Sequence, residues 1–121
     1  MAGDLSKHFS RWEVECKCGC GLMNIDPELL RFLDLLREEL GRPLSISSAS
    51  RCPTHNIKEG GKKNSAHLKG LAADLKVNGS RERFQVISAV SACGITRIGI
   101  AKTFIHIDID TSKPQEVIWL Y

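Results

Sequence analysis

Long apolar runs are missing from this 121-residue chain. No stretch approaches the ~20 residues that span a bilayer as a helix, so no membrane partner is expected. Aromatics are scarce, with four Phe, two Trp and one Tyr, and they are not interleaved with basic residues. A nucleic-acid surface that stacks bases on aromatic rings is therefore disfavoured. Charge of one sign is not in large excess either: the formal net charge is +3, short of the dense basic face such binders carry. The first eleven residues lack the apolar stretch of a secretory signal, which predicts a product that starts in the cytoplasm. Repeats, low-complexity tracts and linker-like boundaries are also absent, so residues 1–121 read as a single domain, expected to be a monomer.

An even cysteine count is lacking too, because five thiols cannot all pair within one chain. Cys16, Cys18 and Cys20 alternate with Lys17 and Gly19, while Cys52 and Cys93 stand apart. Four thiolates suit zinc, but their usual spacing is Cys-x2-4-Cys, and Cys-x-Cys-x-Cys is tight for one ion. Free thiols, or a disulfide formed after release from the cell, are the expectation.

What is present is a clear order of elements. A short helix is predicted over residues 9–15 behind Ser10, followed by a Gly- and Cys-rich loop to Met23. The strongest helix runs from Pro27 to Leu40, with Asp26 as its N-cap and Gly41 closing it. Leu29, Phe32, Leu33, Leu36 and Leu40 form its inward stripe. Leu44–Ser47 alternates as a strand, Pro53–Lys58 suggests a short helix, and Lys62–Lys69 a loop. Gly70–Val77 is predicted as a strand. A helix from Ser80 to Ala92 follows, with Phe84, Ile87, Val90 and Ser91 inward. Arg97–Ala101, Ile105–Ile109 and Glu116–Leu120 complete the sheet. The order predicts an α+β domain with a mostly antiparallel sheet packed against helices.

Three side chains in this frame carry chemistry. His67 and Asp74 lie in Ser65-Ala-His-Leu-Lys-Gly-Leu-Ala-Ala-Asp74, and His106 in Phe104-Ile-His-Ile-Asp108. Singly, His67 reads as a surface residue, Asp74 as a lysine partner or turn cap, and His106 as a hydrogen-bonded core residue. Jointly, two imidazoles and one carboxylate are the ligand set of a catalytic zinc ion with one open position. Period two sends Ile105, Ile107 and Ile109 to one sheet face and His106, Asp108 and Asp110 to the other. Buried carboxylates of that kind demand a partner, a solvated cleft or a metal. Gly70, Ala72 and Ala73 leave room for the ligand-bearing segments to approach. Basic residues gather from Arg51 to Lys69, with Lys58, Lys62 and Lys63 between; this is either a solvated loop or a rim that attracts an anionic polymer or a carboxylate-bearing substrate.

The spaced pattern Ser65-x-His67-x-x-Gly70-x-Ala72-x-Asp74, with His106-x-Asp108 some thirty residues on, resembles the zinc D-Ala-D-Ala carboxypeptidase family. That family sits in a wider metallopeptidase group with lysostaphin-type enzymes and the hedgehog signalling domain. Ser47–Asn56, Gly60-Gly61, Asn64-Ser65, Ile98-Gly99-Ile100 and Val117–Leu120 extend the likeness over nearly the whole chain, and its shortness resembles phage or prophage wall-lysis enzymes. The resemblance implies a hedgehog-like fold and one catalytic Zn2+ on His67, Asp74 and His106. It also implies peptidoglycan stem peptides as substrate, with D-Ala-D-Ala carboxypeptidase or endopeptidase activity at the bacterial cell wall. It further implies that Arg51 grips a substrate carboxylate, as a guanidinium does with paired hydrogen bonds, and that Ser65 bonds substrate or orients the site. Several branches place a carboxylate base three residues before the second histidine; Thr103 stands there instead. Asp108 is the expected proton shuttle, with ligand orientation as its alternative role. A zinc-containing binding module without catalysis is the competing reading.

Overall fold

A computed structural model describes residues 3–121. Helix α1 (Arg11–Val14) follows Ser10, whose backbone N–H donates to the Glu13 carboxylate at 2.8 Å. Helix α2 (Pro27–Leu40) begins where its first turn is satisfied: Asp26 Oδ1 accepts from the Glu28 N–H at 2.8 Å, and Pro27 has no N–H to satisfy there. Gly41 at φ 70° ends it. Strand β1 (Ile46–Ser48), helix α3 (Pro53–Lys58), strand β2 (Ala72–Lys76), helix α4 (Gly79–Ala92) and strands β3 (Arg97–Ile100), β4 (Phe104–Asp108) and β5 (Val117–Leu120) complete the chain. The loop before β2 closes in a 3-10 turn, Ala66–Lys69.

The sheet runs β1-β2-β4-β3-β5. All pairs are antiparallel except β3 with β5, which is parallel. This is the expected α+β architecture. Leu29, Leu33 and Leu36 of α2 and Val86, Ala89 and Val90 of α4 join Ala73, Leu75, Ile98, Ile105 and Ile107 of the sheet in the hydrophobic core. Each fully buried Leu or Ile contributes about 1.5–3 kcal/mol relative to exposure. Among the described residues no helix is long and apolar enough to cross a membrane.

One feature of α4 departs from the pattern-based expectation. Phe84 is 72% exposed, and Ser91 is exposed as well. The stripe that meets the sheet is Val86, Ala89 and Val90, at i, i+3 and i+4. Phe84 lies two residues before Val86, ~200° round a 3.6-residue helix, and so faces away. Size misled here: a phenyl ring dominates a hydrophobicity count, whereas helix phase decides burial.

Candidate metal centre

The sheet register sets the site. Asp74 of β2 stands directly opposite His106 of β4. Because Leu75 and Ile105 point into the core, Asp74 and His106 share the other face. His67 comes from the 3-10 turn, where the Ser65 hydroxyl accepts its N–H at 3.2 Å. Gly70 ends that turn at φ 72°, and a Cβ there would lie 1.9 Å from the Asn24 carbonyl oxygen, so only glycine fits. All three side chains are buried.

Their ligand atoms lie within 4.8 Å of one another. Asp74 Oδ1 is 3.2 Å from His67 Nε2 and 3.0 Å from His106 Nδ1. A tetrahedral ion with ~2.0–2.1 Å bonds sets its donors ~3.3 Å apart, so the spacing fits zinc. The outer bonds fit as well. His67 Nδ1 lies 2.7 Å from the Ala49 carbonyl, which can only accept, so the proton sits on Nδ1. A neutral His67 then aims its Nε2 lone pair at a carboxylate. His106 Nε2 is 2.8 Å from Asp108 Oδ2, and a proton held on that side leaves the Nδ1 lone pair to face Asp74 once a metal takes the other side. Lone pairs converging on a carboxylate oxygen require a proton or a cation between them.

The surrounding charges tell the same story. Burial pushes the Asp74 carboxyl up, but bonds from His106 and His67 outweigh it and hold the group well below the carboxylate range. Burial pushes the His106 imidazole down, yet Asp108 and Asp74 raise it above its ordinary value. The pocket is built to hold positive charge at its centre.

Arg51 lines the same cavity and holds Asp74 Oδ2 at 3.3 Å, Ser48 Oγ at 3.0 Å and Asn56 Oδ1 at 3.3 Å. A guanidinium has five N–H donors, so two remain for an incoming carboxylate. Ser65 lines the cavity and orients the His67 turn. Asp108, for which both a proton-shuttling and an orienting role are expected, makes these bonds: Oδ2 faces His106 Nε2, and Oδ1 accepts from Arg97 Nε at 2.6 Å and from the Asp110 N–H at 3.1 Å. Burial pushes its carboxyl up, and the His106 and Arg97 bonds reverse this, so its pKa is lowered. A carboxylate so held is a poor proton acceptor. Thr103 is exposed in the β3–β4 turn, so that position supplies no base. Asp110 pairs with Lys69 at 2.9 Å, outside the donor set.

The sequence pattern did not single out Arg97, Trp119, Tyr121 and Asn56. Arg97 pairs with Asp108, and its guanidinium lies 5.0 Å from the Trp119 ring. Trp119 reaches to 5.4 Å from the His106 ring because Gly99 stands between them in the register. Period two in Arg97-Ile98-Gly99-Ile100 already places Arg97 and Gly99 on the His106 face. The cavity, about 710 Å3, runs from Gly60-Gly61 past the donors to Trp119 and Tyr121. A second cavity of about 440 Å3 lies between α2 and α4 and has no imidazole, thiol or cluster of acids.

A family model described as Peptidase M15 matches residues 7–108. No curated protein matches the chain.

Proposed function

The chain belongs to the peptidase M15 family of zinc metallopeptidases, and on that premise we propose that it hydrolyses peptide bonds in peptidoglycan stem peptides, as a carboxypeptidase or endopeptidase in cell-wall lysis or remodelling. The supporting observation is the convergence of His67 Nε2, Asp74 Oδ1 and His106 Nδ1 at the floor of an open cavity. These atoms would hold zinc. When bound, the ion supplies a Lewis acid that polarises a carbonyl and brings the pKa of a water towards ~7.

The chain's own groups do the rest. Ala49 and Asp108 fix the tautomers of the two imidazoles, so that Nε2 of His67 and Nδ1 of His106 stay free to ligate. Arg51 keeps Asp74 turned inward through Oδ2 and offers its remaining N–H groups to a peptide carboxylate next to the scissile bond. Trp119 and Tyr121 wall one side of the cavity beside the donors.

Mass spectrometry of purified peptidoglycan after incubation with the zinc-loaded protein tests this. Release of D-alanine identifies a carboxypeptidase; longer fragments with new amino termini identify an endopeptidase. Both should vanish with a chelator and in His106→Ala. Unchanged lysis by His106→Ala would overturn the ligand assignment, and tight wall binding with no released peptide would assign a binding module instead.

A further inference from the structure

The cysteines form a second centre, one member of which, Cys52, follows Arg51 directly in the chain. Cys16, Cys18, Cys20 and Cys52 each direct a sulfur to one point, all four within 4.8 Å of one another. Cys16 Sγ lies 3.4 Å from Cys18 Sγ, and Cys18 Sγ lies 3.7 Å from Cys52 Sγ. A tetrahedron with ~2.3 Å zinc–sulfur bonds has edges of ~3.8 Å. We propose that these four thiolates hold a second, structural zinc ion, distinct from the His67–Asp74–His106 centre.

Cys-x-Cys-x-Cys is tighter than the usual Cys-x2-4-Cys, and the backbone accommodates it. Gly19 and Gly21 both adopt φ 87°, a conformation other residues rarely take. The Gly19 N–H donates to the Cys16 carbonyl at 3.3 Å, and the Cys16 N–H to the Leu22 carbonyl at 2.8 Å. The chain thus curls on itself, and three side chains that an extended strand would space ~6–7 Å apart along one face converge on one centre. Cys52 completes the set from the N-cap of α3.

Backbone donors already point at the sulfurs. The Cys52 N–H lies 3.4 Å from Cys16 Sγ, and the His55 N–H lies 3.4 Å from Cys52 Sγ. N–H groups so aimed stabilise thiolate rather than thiol. One mononuclear ion fits this spacing, whereas an iron–sulfur cluster spreads its thiolates more widely around a multi-atom core. Uptake is a simple exchange: the ion binds four sulfurs and the thiol protons leave to solvent.

The position explains what the ion would do. Cys52 is the neighbour of Arg51, whose N–H donates to the His67 carbonyl at 3.3 Å. The same segment supplies the Ala49 carbonyl that fixes His67. Clamping the Cys16–Cys20 loop to Cys52 would therefore hold the segment that positions both Arg51 and His67.

Metal content under reducing conditions, by elemental analysis and native mass spectrometry, tests the proposal without any activity assay. Two zinc ions per wild-type chain are expected, one in His67→Ala/His106→Ala and one in Cys18→Ser/Cys20→Ser. Should the cysteine variant fail to fold, cobalt decides: the histidine double variant loaded with Co2+ should show intense sulfur-to-cobalt charge-transfer absorption and tetrahedral bands. Zinc lost from the histidine variant with all five thiols freely reactive would overturn the thiolate site, as would iron in its place or an intact mass lowered by disulfide formation. Loss of the histidine-bound ion alone would refute the first centre and leave this one standing.

Discussion

His106 has a carboxylate at each ring nitrogen, Asp74 at 3.0 Å and Asp108 at 2.8 Å. Only one of them can share a metal with it. Asp108 is also tied to Arg97, so Asp108→Asn should weaken zinc binding about 10–100-fold, the usual effect of losing an orienting partner. Competition with a chromophoric chelator measures this, and turnover should largely recover at saturating zinc. An unchanged zinc affinity with a collapsed kcat would instead make Asp108 the proton shuttle. Gly99 is as exacting in another way. A Cβ there would lie 2.6 Å from Trp119 Nε1 and 2.7 Å from Tyr121 Cε1. These are side-chain atoms that can swing aside, so Gly99→Ala should cost about 1–2 kcal/mol and move Trp119 away from His106. Trp12 is 69% exposed, so a shift in the blue edge of tryptophan emission would report on Trp119. The ligand residue types were legible in the sequence because two imidazoles and one carboxylate, taken jointly, are a zinc ligand set. The tautomers were not, since they depend on the Ala49 carbonyl, which no residue type announces.

At the level of elements, α2 was legible to the residue because Asp26, Pro27 and Gly41 act locally. The 3-10 turn carrying His67 was not, because its stability comes from Ser65 and from the passage of Gly70 against Asn24, a contact between distant segments. Strand β5 was visible as an apolar run, but its parallel pairing with β3 follows from the connection after Asp110 and not from its own pattern. That connection depends on Asp110, which accepts from Lys69 at 2.9 Å and from the Ser112 hydroxyl at 2.6 Å. Burial pushes the Asp110 carboxyl up, and the Ser112 and Lys69 bonds more than reverse it, leaving its pKa below the usual range. A carboxylate whose folded pKa is depressed stabilises the fold above its unfolded pKa of ~3.9 and loses that contribution as the pH falls through the folded value. Urea midpoints of wild type and Asp110→Asn should therefore differ most near neutral pH and draw together below about pH 4. A gap independent of pH would show that the ion pair is not its source.

For the whole molecule, the question is what the fold owes to metal. Two donors of the first centre, Asp74 and His106, sit on strands whose opposite face buries Leu75, Ile105 and Ile107 against α2 and α4. That core is built of apolar side chains and includes none of the donors, unlike small metal-nucleated domains, which unfold when stripped. Arg51 and Arg97 lie beside Asp74 and Asp108, so the buried carboxylates have cationic partners within the protein itself. Chelation should accordingly lower the melting temperature without abolishing cooperative unfolding. An ion present at about 1,000 times its Kd stabilises by about 4 kcal/mol, which for a chain of this size is a shift of roughly 10–20 °C. Circular dichroism should show the sheet intact at 25 °C after chelation, and re-addition of zinc should restore the original melting curve. Loss of the sheet on chelation at that temperature would mean that the apolar core is too small to stand alone, and that metal is a condition of folding and not only of the chemistry.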